Sequence, residues 1–125
     1  MKHKTIEWFK QAEYDIDTAE YMFKGGRFFY CVFMCHLSVE KSLKGIFTKL
    51  TKTQAPKTHD LAYLLKLTKF EIADDIKEFI NDLNDLSVPT RYPEELDALI
   101  KQYDKNETTK ILKKAKGAIK WLKEQ

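Results

Sequence analysis

Residues 27–50 read RFFYCVFMCHLSVEKSLKGIFTKL, and this stretch decides how the rest of the chain can fold. It holds no proline, and its one glycine, Gly45, comes near the end. In its first half Phe28, Phe29, Cys31, Val32, Phe33, Met34, Cys35 and Leu37 are apolar on nearly every side. A helix apolar all round belongs in the middle of a bundle rather than on its surface. One column breaks the pattern. His36, Glu40 and Lys44 stand at i, i+4 and i+8, so they stack on one face, with Lys41 beside them. Either that column reaches water or other groups satisfy it, because buried charge is costly unless paired.

Working outward, the preceding residues predict a helix over 5–24. Thr5 is its candidate N-cap. Trp8, Phe9, Ala12, Ile16, Ala19 and Phe23 form its apolar stripe, and Gly25-Gly26 stops it. The turn is very short, so the two helices run antiparallel. Asp15 flanks the stripe; it is either solvated or paired with Lys44 or Arg91. After the central helix, Thr51 to Lys57 reads as a loop, with Pro56 holding Ala55 extended. Thr58 can cap a short third helix whose core side is Leu61, Leu64 and Leu65, with His59 in its first turn.

The fourth helix opens at Asp74-Asp75 and buries Ile76, Phe79, Ile80, Leu83 and Leu86, with Asp82, Asn84 and Asp85 towards solvent. Val88-Pro89-Thr90-Arg91-Tyr92-Pro93 reads as a rigid irregular segment that holds Arg91 and Tyr92 between two prolines. Glu94 to Tyr103 fits a short helical turn. The last helix has a capping box, Asp104-x-x-Glu107. Its apolar stripe is Thr108, Ile111, Leu112, Ala115, Ala118, Ile119 and Leu122. Its opposite face is lysine-rich: either a solvated face or a surface for phosphate.

The chain's 125 residues suit one domain, 1–125, and its 43% hydrophobic and 33% charged residues suit a globular protein. A net charge of +3 does not mark the whole molecule as a nucleic-acid binder, so an anionic partner needs a local patch. The N-terminus lacks the apolar core of a signal peptide, and the run 28–37 is too short to span a bilayer. Those features predict a cytoplasmic protein with no membrane partner. Cys31 and Cys35 lie four apart on one helix, too far for a disulfide; they read as small buried side chains, or as a metal pair with His36. The chain holds no Gly-rich phosphate loop, nucleophile elbow, paired-Cys zinc pattern or Glu-x-x-His di-iron ligand. No metal and no cofactor are expected.

Four motifs together resemble the HEPN family. Leu37-Ser38-Val39-Glu40-Lys41-Ser42-Leu43-Lys44, after Cys35-His36, resembles its second-helix motif. Ala12-x-x-Asp15-Ile16-x-x-Ala19 resembles its first helix. Thr58-His59-Asp60-Leu61-x-x-Leu64-Leu65 resembles its third, and Thr90-Arg91-Tyr92-Pro93-Glu94 its Arg-Tyr-Pro segment. The resemblance implies an all-α, up-and-down bundle of four long helices plus one short helix. It also implies a homodimer and a minimal nucleotidyltransferase partner, in some cases as a toxin–antitoxin pair whose HEPN member cuts RNA.

In the RNase branch an arginine precedes a histidine by four to six residues. Here Arg27 is nine residues before His36, and no histidine follows Arg91, so the usual catalytic pair is missing and the reading leans away from an enzyme. The family's Gln before Glu-Lys is replaced by His36-Leu37, and the motif positions carried over are Asp15, Glu40, Lys41, Lys44, His59, Arg91 and Tyr92. With His36 they are expected to bind a nucleotide or RNA, with Arg91 and Tyr92 lining one groove beside the His36–Glu40–Lys44 column. A homodimer is further expected because Trp8, Phe28, Phe29, Phe33, Phe47 and Trp121 are many large rings for one small bundle to cover. The alternatives are a metal-independent RNase and a purely structural dimer.

Overall fold

The computed structural model describes residues 2–69, 71–91 and 96–125, and all regular structure among them is helical. Four long helices, α1 (Lys2–Lys24), α2 (Phe28–Thr51), α4 (Asp74–Arg91) and α6 (Lys105–Lys123), form an all-α bundle. Two short ones, α3 (Leu61–Leu67) and α5 (Leu96–Gln102), join them; α5 occupies the stretch expected to make a short turn.

The apolar run of α2 does what its composition predicts. Cys31, Val32, Cys35, Val39 and Leu43 are each 0% exposed, and α2 touches all five other helices. Burying one such leucine contributes about 1.5–3 kcal/mol. Cys31 and Cys35 are buried free thiols, and among the described residues no group of side chains is arranged to hold a metal.

The α1–α2 turn is a Schellman motif. Gly26 sits at φ +74°, Arg27 N donates to Met22 O (2.9 Å), and Gly26 N donates to Phe23 O (3.0 Å). A glycine carries the left-handed residue without the Cβ penalty. Further along, the two helices approach closely where Gly45 meets the Phe9 ring. A Cβ there would lie 2.9 Å from Phe9 Cε2. The hydroxyl of Ser38 donates to Ala12 O (2.7 Å) and fastens the same pair of helices.

Several local expectations change. α1 begins at Lys2, since nothing in Lys2-His3-Lys4 breaks a helix, so Thr5 is not the N-cap. Its hydroxyl instead hydrogen-bonds the Thr48 hydroxyl across to α2 at 2.8 Å. The N-cap of α3 is Asp60, which accepts from Tyr63 N, and Thr58 caps nothing in the helix; its Oγ1 accepts from Asp60 N. Asn84 is half-buried and is engaged with another element rather than only with solvent. It accepts from Leu61 N (2.8 Å) and donates to Asp60 Oδ1 (3.1 Å). The helical pattern is not broken at Val88-Pro89, because α4 runs through Pro89 to Arg91. A proline removes one backbone bond and bends a helix, but it need not end one whose preceding turns are already formed.

In α6, Asp104 Oδ1 accepts from Glu107 N (2.8 Å), and all seven expected stripe residues are buried. Tyr103, between α5 and α6, is 1% exposed and donates to Leu86 O, and burial raises the pKa of its phenol. Of the six rings cited for a dimer, Phe29 is buried and the other five are half-buried. The large exposed side chains are different ones: Tyr14, Tyr21, Tyr30, Tyr63, Ile6, Leu50, Leu96 and Ile100. The bundle covers its Phe and Trp rings better than their number suggests.

Candidate functional site: a buried carboxylate and the cleft beside it

The polar column of α2 does not reach water. His36, Glu40 and Lys44 are 1%, 3% and 5% exposed. Glu40 is the hub. Its Oε2 accepts from Lys44 Nζ at 3.1 Å, and its Oε1 lies 2.9 Å from His59 Nδ1 and 3.5 Å from His36 Nε2. A carboxylate can only accept, so His59 carries its proton on Nδ1. His36 Nε2 is 2.9 Å from the His59 carbonyl, which also only accepts, so His36 donates from Nε2. Its Nδ1 is buried and meets no hydrogen-bond partner among the described residues, which suits a lone pair there better than a second N–H.

Burial is the strongest influence on Glu40 and pushes its pKa up. The hydrogen bonds from His36 and His59 and the Lys44 charge together outweigh it, and the pKa falls from 4.5 to about 2. Glu40 is therefore ionised at neutral pH, inside the bundle. Its link to Lys44 is a buried pair and not an exposed helix-surface one. Lys44 is covered further by Trp8, whose ring centroid lies 5.4 Å from Nζ.

His59 is placed by the loop before α3 and not by the first turn of that helix, because Asp60 takes the cap. Its side chain is 63% exposed, so the imidazole spans from the buried carboxylate to solvent. Asp15 is buried rather than solvated, and among the described residues its partner is Lys41, not Lys44: Lys41 Nζ is 2.8 Å from Asp15 Oδ2. The approach is that of charges and lacks hydrogen-bond alignment. The reason is position along the antiparallel pair: Lys41 lies opposite Asp15, while Lys44, further along α2, lies against Trp8 nearer the start of α1 and turns to Glu40. The structure thus gathers His36, Glu40, Lys44 and His59 into one cluster and sets Asp15 and Lys41 in a second. Arg91 ends α4, but its side chain and all of Tyr92 lie outside the described residues.

Beside Lys44 a cleft of about 340 Å³ opens between α1 and the 52–60 loop. Trp8, Lys4, Lys57 and Gln54 line it with Lys44. Sequence reasoning missed these neighbours. Lys4 and Trp8 did carry a signal, since i and i+4 share a helix face. Lys57 and Gln54 carried none, because a loop has no period to read.

Comparison with known proteins fits this architecture. The chain is similar to the crystal structure of TT1696 from Thermus thermophilus, at 23% identity, 97% coverage of both chains and a TM-score of 0.81, a likeness of fold. It is also similar to ST0689, an archaeal HEPN homologue, at 25% identity, covering 97% of this chain and 96% of that one, with a TM-score of 0.79. Among curated proteins none matches. The family model described as "HEPN domain" matches residues 5–125, and the chain therefore belongs to the HEPN domain family.

Proposed function

We propose that this HEPN protein is a regulatory component that binds nucleotide or RNA phosphate as a homodimer in the cytoplasm. In this reading it is paired with a minimal nucleotidyltransferase, in the manner of a toxin–antitoxin system. One observation carries the binding reading: Glu40 holds Lys44 against Trp8 at the edge of a cleft that Lys4 and Lys57 also line. Lys4 and Lys57 supply local positive charge that the net charge of +3 does not advertise, while the Lys44 charge is balanced by Glu40. An indole face offers a base a surface worth about 1–3 kcal/mol of stacking. In this reading Arg91 and Lys41 add phosphate contacts, Tyr92 adds a second ring, and Asp15, His36, Glu40 and His59 keep the lysines in place. A cleft of about 340 Å³ is at the small end of ligand sites, so one nucleotide unit is the fitting size. No helix among the described residues is long and apolar enough to cross a membrane.

The test is titration of wild type, Lys57→Ala and Arg91→Ala with ATP and with a short single-stranded RNA at two salt concentrations. Binding should weaken with salt, and each variant should show a shallower salt slope. If neither ligand binds wild type, or Arg91→Ala lowers the melting temperature without changing affinity, the protein is a structural dimer.

A second reading, a metal-independent RNase, is favoured by the Glu40–His59 contact. Nδ1 of His59 is fixed on a buried carboxylate and the ring reaches solvent, an orientation suited to general-base work by the other nitrogen. RNA cleavage in chelator by wild type and not by His59→Ala supports it. Intact RNA with both proteins removes it.

A further inference from the structure

A second and larger cleft, of about 860 Å³, lies between the start of α1 and the ends of α2 and α6. Thr5 and Thr48 line it as they do their shared hydrogen bond, but its character differs from the cleft at Trp8. Ile6 and Phe9 give it an apolar floor, and Ile6 is 57% exposed. Five lysines border it: Lys2 and Lys10 from α1, Lys49 and Lys52 around the end of α2, and Lys123 from α6. Glu13 is the one acid in the lining, and Lys123 Nζ already stands 3.5 Å from its carboxylate. Lys49 Nζ is engaged as well, donating to Gln125 O at 2.7 Å, so Lys2, Lys10 and Lys52 give the rim its net positive charge.

Lys52 is placed at the rim by its role as the C-cap of α2, where its backbone N–H donates to Thr48 O. Lys52 stands at φ 56°, ψ 29°, in the left-handed region where a glycine or asparagine is the ordinary residue. A lysine held there accepts a conformational cost and sets its side chain beside the cleft.

We infer that this cleft binds an anionic amphiphile, a medium- or long-chain carboxylate. Its chain would lie over Ile6 and Phe9, and its head group would be held by Lys52 and by Lys49, which would exchange its bond to Gln125 O for the carboxylate. The volume favours this occupant over a protein segment. It falls within the 300–1,000 Å³ range usual for small-molecule sites, whereas a partner helix needs roughly 800 Å² of surface on each side. Charge excludes a neutral or cationic lipid.

The experiment titrates the whole protein with decanoate, dodecanoate and tetradecanoate, each below its micellar concentration, by calorimetry. Saturable one-site binding is expected, tightening by roughly fourfold for each buried CH2. Lys49→Gln combined with Lys52→Gln should weaken binding at least tenfold, and Ile6→Gln should flatten the dependence on chain length. Unchanged melting temperatures show that the variants stay folded, and Lys113→Gln, remote from the cleft, should bind as wild type. The inference is overturned if no carboxylate saturates, if affinity ignores chain length, or if the lysine variant binds normally. It is equally overturned if the protein binds anionic vesicles or an acidic amphipathic peptide and no free carboxylate, since the lysines would then serve a membrane or a protein face.

Discussion

Two glutamates of this molecule hold lysines at nearly the same distance in opposite surroundings. Glu40 meets Lys44 at 3.1 Å with side chains 4% and 7% exposed. Glu20 meets Lys116 at 2.8 Å with side chains 41% and 43% exposed. The shorter contact is the weaker brace. Water screens the exposed pair and solvates each ion when the other is removed, so such pairs give about 0–1 kcal/mol. Inside the bundle neither ion has that refuge, and Glu40 needs two histidines as well as the lysine to stay ionised against its own burial. Distance alone does not rank ion pairs; what each ion would meet without its partner does.

Glu40→Ala should break this contrast most severely. It strands Lys44, and urea unfolding at pH 7 should show a loss of about 3–5 kcal/mol. Glu40→Gln sharpens it through pH. The carboxyl has a folded pKa of about 2 against an ordinary 4.5, so the folded state favours the ionised form. Its contribution, about 3 kcal/mol, is whole above pH 4.5 and fades as pH falls towards 2. Wild type should lose that much more stability than Glu40→Gln between pH 5 and 2, and equal losses would mean that Glu40 does not carry the linkage.

Leu43→Ala, one residue from Lys44 but on the core side, should cost about 2–5 kcal/mol at every pH, which separates packing from charge. Gly45→Ala should cost about 1–3 kcal/mol, since the Phe9 ring must shift to admit the methyl group. Lys116→Ala should move the denaturation midpoint least, by no more than about 1 kcal/mol. A larger effect there would erase the distinction between the two glutamates.

The bundle was legible because period is local. The α6 stripe from Thr108 to Leu122 repeats at helical spacing, and each residue in it is buried. The all-round apolar run of α2 likewise has one stable place to go. Glu40 was legible as a problem, a carboxylate in an apolar helix. Its solution was not, because His59 arrives from a loop nineteen residues on, and nothing local to either residue encodes their meeting. Asn84 looked like a solvated polar residue for the same reason; its partners, Leu61 and Asp60, lie on another element. Pro89 misled because its penalty is an energy, and neighbouring turns can outweigh it.

That placement of Asn84 bears on the order in which the molecule assembles. α3 is seven residues long, far below the length at which a helix persists alone in water. Of its orphan N-terminal donors, Leu61 N is taken by Asn84 and Tyr63 N by Asp60, which Asn84 in turn grips. The first turn of α3 is thus completed by a side chain more than twenty residues downstream. Nucleation of this helix is therefore expected to wait on the docking of α4, and pulsed hydrogen exchange during refolding should find the α3 amides protected after those of α4.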